Sequence, residues 1–325
     1  MARTHDVPEL VARARQGQPR AVARLISLVE DASPLLREVM AALATAARAS
    51  DPAYVIGLTG APGVGKSTTT SALVSVLRRR NQRVGVLAVD PSSPFSGGAL
   101  LGDRVRMQDH ACDPGVFIRS MANRGHLGGL SWSTPQALRV LDAAGCDVVL
   151  VETVGVGQSE VEVAALADTT VVLLAPGMGD SVQAAKAGIL EIGDVYAVNK
   201  ADRDGAASTA RELGQMLSLG PGRSPRDWRP PVLKTVAARE EGIDELVDAV
   251  DGHRDWLTRT GLLTERRTRR VRDEVQAIAL AALRQRFGAL EGADRLQALA
   301  EQVLAGALDP YAAADQLVAG VAGTA

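Results

Sequence analysis

Six short, apolar, β-branched runs in the middle of the chain constrain its fold more than any other feature. They are YVIGLT (54–59), RVGVLAVD (83–90), DVVLVE (147–152), TTVVLLA (169–175), DVYAVN (194–199) and PVLKTVA (231–237). Their apolar residues run on without alternation, so both faces of each strand must be covered. Helical patterns separate them. That alternation predicts an α/β fold with a mainly parallel sheet clad by helices on both faces. Ligands of such sheets sit beyond the C-terminal ends of the strands. The residues that follow each run therefore carry the functional information.

The first run leads into Gly60-Ala61-Pro62-Gly63-Val64-Gly65-Lys66-Ser67-Thr68, a match to G-x-x-x-x-G-K-[ST] placed between a predicted strand and a predicted helix. Its glycines let backbone N–H groups turn inward around phosphate oxygens, and the helix N-terminus adds positive potential. Lys66 is expected to reach the β/γ-phosphates and the Ser67 hydroxyl to ligate Mg²⁺. The chain has only four lysines (Lys66, Lys186, Lys200 and Lys234) against a background of arginine. A lysine in that setting marks a place where a compact ammonium serves better than a planar guanidinium.

The run DVVLVE ends in Glu152, followed by Thr153-Val154-Gly155. A carboxylate there can hold Mg²⁺ directly or through water, and Gly155 can offer its N–H to a γ-phosphate. A strand-end acid can also simply cap the next helix. Asp90 closes the second run and opens a long Gly- and Ser-rich stretch, residues 91–107, that reads as a switch segment. Asp90 and Asp103 could complete a metal shell. Arg104 or Arg106 could stabilise phosphoryl charge, although a surface salt bridge is the commoner fate of a single arginine.

Asn199-Lys200-Ala201-Asp202 ends the fifth run and reads as N-K-x-D. Guanine presents N1–H and N2–H₂ side by side, and one carboxylate can accept from both. Adenine offers no such pair. Asp202 is therefore expected to select guanine, Asn199 to tie the loop to the phosphate cradle, and the Lys200 stem to cover the base. Thr235-Val236-Ala237 closes the last run, and the Ala237 N–H is a candidate partner for the guanine carbonyl. The predicted ligands are GTP or GDP with Mg²⁺.

Outside this region the pattern changes. Val22, Leu25, Ile26 and Val29, then Leu36, Val39, Met40 and Leu43, recur at helical spacing. Ser33-Pro34 looks like a helix start. Val271, Val275, Ile278 and Ala282 form one later stripe and Leu296, Leu299 and Val303 another. Asp309-Pro310 looks like a further start. The expected organisation is an N-terminal helical extension (1–50), a P-loop domain (51–257) and a C-terminal helical arm (258–325). A net charge of −2 argues against nucleic acid or an anionic membrane as the main partner. No apolar run approaches a membrane span, and MARTHDVPEL lacks a secretory pattern, so the cytoplasm is expected. Cys112 and Cys146 lie far apart, which excludes a disulfide framework.

Taken together, the motifs resemble the MeaB/ArgK GTPases, relatives of the methylmalonic aciduria type A protein. The resemblance rests on GAPGVGKST (60–68), VDPSSPFSGGALLGDRVRM (89–107), IRSMANRGHLGGLS (118–131), VETVGVGQSE (151–160), Gln183 and Lys186 in DSVQAAKAGILEIGD, and VNKAD (198–202). It implies a P-loop NTPase of the signal-recognition/MinD-like GTPase branch, consistent with Glu152 where many GTPases carry Asp. It implies a homodimer that binds an adenosylcobalamin-dependent acyl-CoA mutase, gates cofactor loading, protects the mutase and helps release damaged cofactor. By matching positions, Ser67, Asp90, Asp103 and Glu152 would serve Mg²⁺. Gln183 and Lys186 would form a third switch coupling hydrolysis to the mutase, and the C-terminal helices a dimer arm.

The main alternative is a nickel-insertion GTPase of the same wider branch. Such a protein needs clustered Cys and His, whereas His5, His110, His126 and His253 are scattered and only His110 and Cys112 are near each other in sequence. A module with a dead nucleotide site conflicts with intact Lys66, Ser67 and Glu152. The arginine-rich stretch 265–272 reads as a solvated helix face rather than an RNA site. Trp132, Trp228 and Trp256 read as packing residues.

Overall fold

The computed structural model describes residues 6–45, 51–91, 107–110, 112–123, 133–153, 159–177, 189–218, 227–290 and 292–322. These form two compact units, 1–266 and 267–325.

The first unit is built on a seven-stranded parallel sheet. Its strands are β1 (Tyr54–Thr59), β2 (Val84–Pro91), β3 (Val116–Asn123), β4 (Val148–Thr153), β5 (Thr169–Leu174), β6 (Val195–Val198) and β7 (Val232–Lys234), in the order β3-β2-β4-β1-β5-β6-β7. The chain leaves β1 toward one edge and β4 toward the other. The switch in direction falls beside β1, where a crevice opens at the strands' C-terminal ends. Six strands follow the apolar runs. The seventh, β3, has no counterpart among them. It is an edge strand paired only to β2, so its residues VFIRSMAN mix Arg119 and Ser120 with apolar side chains and give no continuous apolar run.

Helices α1 (Val7–Arg15), α2 (Pro19–Glu30), α3 (Leu36–Thr45) and α5 (Thr134–Ala143) share one core with one face of the sheet. The expected stripe of α2 is buried there through Val22, Leu25, Ile26 and Val29. Helix α1 lies within the expected N-terminal helical extension, in a stretch where no apolar stripe was named. Asp6 caps it by accepting from the Glu9 N–H at 3.2 Å, and Val7, Val11 and Ala14 face inward. Ser33 holds the turn before α3, its hydroxyl accepting from the Leu35 N–H at 3.3 Å.

Helices α4 (Lys66–Arg79) and α9 (Ile243–Thr260) cover the opposite face. Strand periodicity divides the side chains between the two cores. In β4, Val149 and Val151 join the α2 side, and Val148 and Leu150 the α4 side. Glu152 continues the second set and so faces α4. Helix α6 (Ser159–Leu166), the short α7 (Ile189–Ile192) and α8 (Ala206–Ser218) complete the unit. Helix α10 (Leu262–Leu290) carries the chain into the second unit, with α11 (Gly292–Leu304) and α12 (Pro310–Ala322). Asp309 starts α12 as expected, its Oδ1 accepting from the N–H groups of Tyr311 and Ala312 at 2.9 and 3.1 Å.

Candidate functional site

The phosphate loop joins β1 to α4. Two glycines are required by its path. Gly60 has φ +141°, and a Cβ there would lie 2.3 Å from the Leu173 carbonyl oxygen; Gly65 has φ +95°, and a Cβ would lie 2.4 Å from Asn199 Nδ2. Gly65 is also the N-cap of α4, where no side chain donates a capping acceptor. The N-terminus of α4 therefore directly follows the loop, and its helix dipole favours phosphate there. Pro62 and Gly63 form the exposed tip. Lys66 Nζ donates to the carbonyls of Gly60 at 2.7 Å and Ala61 at 3.1 Å, within the loop itself.

Behind the loop lies a buried hydroxyl–carboxylate group. Ser67 Oγ donates to Glu152 Oε1 at 2.6 Å, and Thr70 Oγ1 donates to Oε2 at 2.8 Å. Thr70 was not among the expected residues. Its signal is positional: three residues after Ser67 on a helix, it shares the Ser67 face. Ser67 and Glu152 supply hard oxygen donors of the kind a small divalent cation takes.

The N-K-x-D segment follows β6. Asn199 is buried and stitches two loops to its own strand end. Its Nδ2 donates to the Val64 carbonyl at 2.8 Å, and its Oδ1 accepts from the Ala237 N–H at 3.0 Å and the Thr235 hydroxyl at 3.3 Å. Lys200 sits in the left-handed region at φ +56° and donates from Nζ to the Gly63 carbonyl at 2.6 Å. Such backbone strain in a non-glycine residue is characteristic of functional turns. Asp202 is exposed, with Oδ2 3.9 Å from Arg239 Nη2. Arg239, which the sequence did not single out, lies in the short 3₁₀ turn Ala237–Arg239, and the expected strand 231–237 is shorter, running only Val232–Lys234.

Lys66, Ser67, Glu152, Asn199, Lys200, Asp202 and Ala237 therefore come from four segments along one end of the sheet. The Asp90 side chain, Asp103, Arg104, Arg106, Gly155, Gln183 and Lys186 lie outside the described residues. Among the described residues, no three His, Cys, Asp or Glu side chains gather as a metal-holding group. Cys112 is exposed and Cys146 buried. His110 contacts the Ser71 hydroxyl at 3.1 Å.

A phosphate loop at the sheet crevice, an acid-ended neighbouring strand and an N-K-x-D loop stitched to the phosphate loop define a P-loop GTPase. The comparisons carry this further. The family model described as methylmalonyl Co-A mutase-associated GTPase MeaB matches residues 22–291, and the chain belongs to that family. A Pyrococcus abyssi protein is 46% identical over 98% of this chain and 97% of its own length. The Escherichia coli protein named GTPase ArgK is 39% identical over 79% of this chain and 78% of its own. The mouse protein named methylmalonic aciduria type A homolog, mitochondrial, is 34% identical over 93% of this chain and 76% of its own. A crystal structure titled LAO/AO transport system kinase superposes with TM-score 0.72 at 28% identity, covering 98% of both chains. The chain binds guanine nucleotide and hydrolyses GTP to GDP and phosphate. No described helix is long and apolar enough to cross a membrane.

Proposed function

We propose that this GTPase is a G-protein chaperone that gates adenosylcobalamin loading, protection and reactivation of an acyl-CoA mutase, with methylmalonyl-CoA mutase as the partner. The family match over residues 22–291, whose description names association with that mutase, carries the proposal. The protein would work in the cytoplasm as a homodimer paired through the helices of residues 258–325. The exposed Val271, Val275 and Leu296 on α10 and α11 support a second copy as the cover for that face.

The site divides the work. Residues 60–68 cradle the phosphates. Lys66 exchanges loop carbonyls for β/γ-phosphate oxygens, so that its ammonium meets charge that grows as the phosphoryl group transfers. Asp202 accepts from the two guanine donors, Asn199 holds the base loop against the phosphate loop, and the Ala237 N–H, expected at the guanine carbonyl, is instead taken up by Asn199 Oδ1 and braces that side chain. Gly155 offers its N–H to the γ-phosphate. Mg²⁺ would be held by Ser67, Glu152, Asp90 and Asp103; it would neutralise phosphate charge during transfer. The buried Ser67–Glu152 pair is the observation that fits it. Gln183 and Lys186 couple the site to the mutase, and docking of the mutase completes the arrangement that orders the attacking water, which keeps the free protein slow.

GTP turnover should therefore be measured with and without purified methylmalonyl-CoA mutase from the same source, with Lys66→Ala as control. Strong stimulation that the variant loses is the expected result. GTP binding without stimulation, or fast Mg²⁺-dependent turnover by the protein alone, would overturn the coupling to that mutase while leaving the GTPase intact.

A further inference from the structure

The metal half of the site contains one residue with no assigned role. Thr70 is fully buried in the first turns of α4. Its hydroxyl carries a single hydrogen but has two acceptors in reach, Glu152 Oε2 at 2.8 Å and the Lys66 carbonyl at 3.0 Å. A carboxylate oxygen is the stronger acceptor. The shorter contact is therefore the one that takes the proton.

The consequence falls on Ser67. A hydroxyl that ligates a cation does so through an oxygen lone pair, so its proton must point elsewhere. Glu152 Oε1 receives that proton at 2.6 Å, within the range of a charge-assisted O–H···O bond. Glu152 can do so only while its carboxylate plane is held. The plane has two oxygens, and α4 supplies a donor to each, from Ser67 and from Thr70. Helix periodicity sets those donors three residues apart on one face. Strand periodicity turns Glu152 toward them. Glu152 is itself only 3% exposed, so bulk water does not substitute for a lost donor.

We propose that Thr70 is a positioning residue of the cation site: by holding Glu152 it aims the Ser67 proton at the carboxylate and leaves the Ser67 oxygen for Mg²⁺. This rests on the assignment of Ser67 and Glu152 to Mg²⁺. Thr70 touches neither phosphate nor cation. Its loss therefore weakens Mg²⁺-dependent retention of nucleotide without weakening the cradle.

Release of a fluorescent GDP analogue is followed against free Mg²⁺, and separately in EDTA, for the full chain and its variants. Thr70→Val removes the hydroxyl at nearly constant volume. It should raise the Mg²⁺ needed for half-maximal retention about tenfold, the scale of one hydrogen bond to a charged group. Release in EDTA should stay at the wild-type rate, and Thr70→Ser should restore the wild-type Mg²⁺ dependence. A wild-type Mg²⁺ dependence in Thr70→Val overturns the proposal. So does an equal acceleration in EDTA, which would mark a role in folding the loop. If Thr70→Val does not fold, Thr70→Ala is read by the same criteria. Ser67→Ala separates the two levels. If it keeps the wild-type Mg²⁺ dependence, the assignment of Ser67 itself fails. If it loses that dependence while Thr70→Val keeps it, only the role of Thr70 falls.

Discussion

The two ends of the parallel sheet are both polar, yet they satisfy their backbone groups in opposite ways. At the C-terminal end, cations and amides meet carbonyls: Lys66 on Gly60 and Ala61, Lys200 on Gly63, Asn199 on Val64. At the N-terminal end, carboxylates meet N–H groups in the strands or just before them. Asp168 accepts from Val55 at 3.0 Å, Asp194 from Thr170 at 2.9 Å and Asp142 from Ala53 at 2.8 Å. Asp194 also takes a forked pair from Arg266, at 3.0 and 3.1 Å. Beside it Tyr54, Thr169 and His253 form a buried chain, with 2.6 Å between the Tyr54 and Thr169 hydroxyls and 2.8 Å from Thr169 Oγ1 to His253 Nδ1. Trp228 and Trp256 flank the imidazole, and Trp228 Nε1 donates to the Asp194 carbonyl at 2.6 Å.

The difference teaches where exchange is possible. A lysine resting on a carbonyl can transfer to a phosphate oxygen, because both are acceptors and the ammonium gains charge complementarity. A carboxylate buried against strand N–H groups has no such route, since removing it strands donors away from water. Polar clustering alone therefore does not mark a site. The sign of the group offered to a ligand, and its exposure, do.

Substitutions at the two ends should separate cleanly. The largest effect is expected from Lys66→Ala, which should lower kcat/KM for GTP by roughly 1,000-fold, the upper range for loss of one transition-state donor. Steady-state turnover checks it, and the unfolding midpoint should hardly move. Next, Asp202→Asn should cut the preference for GTP over xanthosine triphosphate by about 100-fold, because xanthine has a carbonyl where guanine has its amino group. Competition binding reads that ratio, and an unchanged preference would remove Asp202 from base reading. At the other end, Asp194→Ala should cost about 3 kcal/mol of stability by leaving Arg266 and a strand N–H without their acceptor. Urea unfolding measures this, while nucleotide specificity should be retained.

The smallest effect concerns pH. Burial pushes the His253 imidazole down to about 4 from its ordinary 6.5, against the pull of Asp194. Between those values the unfolded chain holds a proton that the folded chain refuses. Stability therefore falls as the pH drops through that window, by about 2 kcal/mol between pH 7 and pH 5. His253→Gln should flatten that slope in unfolding curves taken at both pH values. An unaltered slope would assign the acid sensitivity to other groups.

Much of this was legible in advance. Five of the seven strands announced themselves because parallel strands buried on both faces must be apolar throughout, and the half-buried edge strand β7 was legible from the apolar residues around Lys234. The phosphate loop and N-K-x-D segment were legible because their chemistry needs fixed residue types at fixed spacing. Strand β3 was not, since an edge position tolerates Arg119 and Ser120. Thr70 and Arg239 were not, since a threonine in a helix and an arginine in a turn are common and their partners lie far along the chain. His253 gave no sign of its burial for the same reason.

The sequence by itself determined the alternation of elements, the sheet's parallel sense and the local loops that can hold phosphate and read a base. Those properties follow from periodicity, glycine conformations and donor matching within a few residues. Only the tertiary structure decided that Asn199 joins Val64 to Ala237, that Thr70 and Ser67 share one carboxylate, and that Asp194 faces Arg266 and His253. Each depends on strand order and on which side of a strand a residue faces, and these are fixed by packing between segments far apart in the chain.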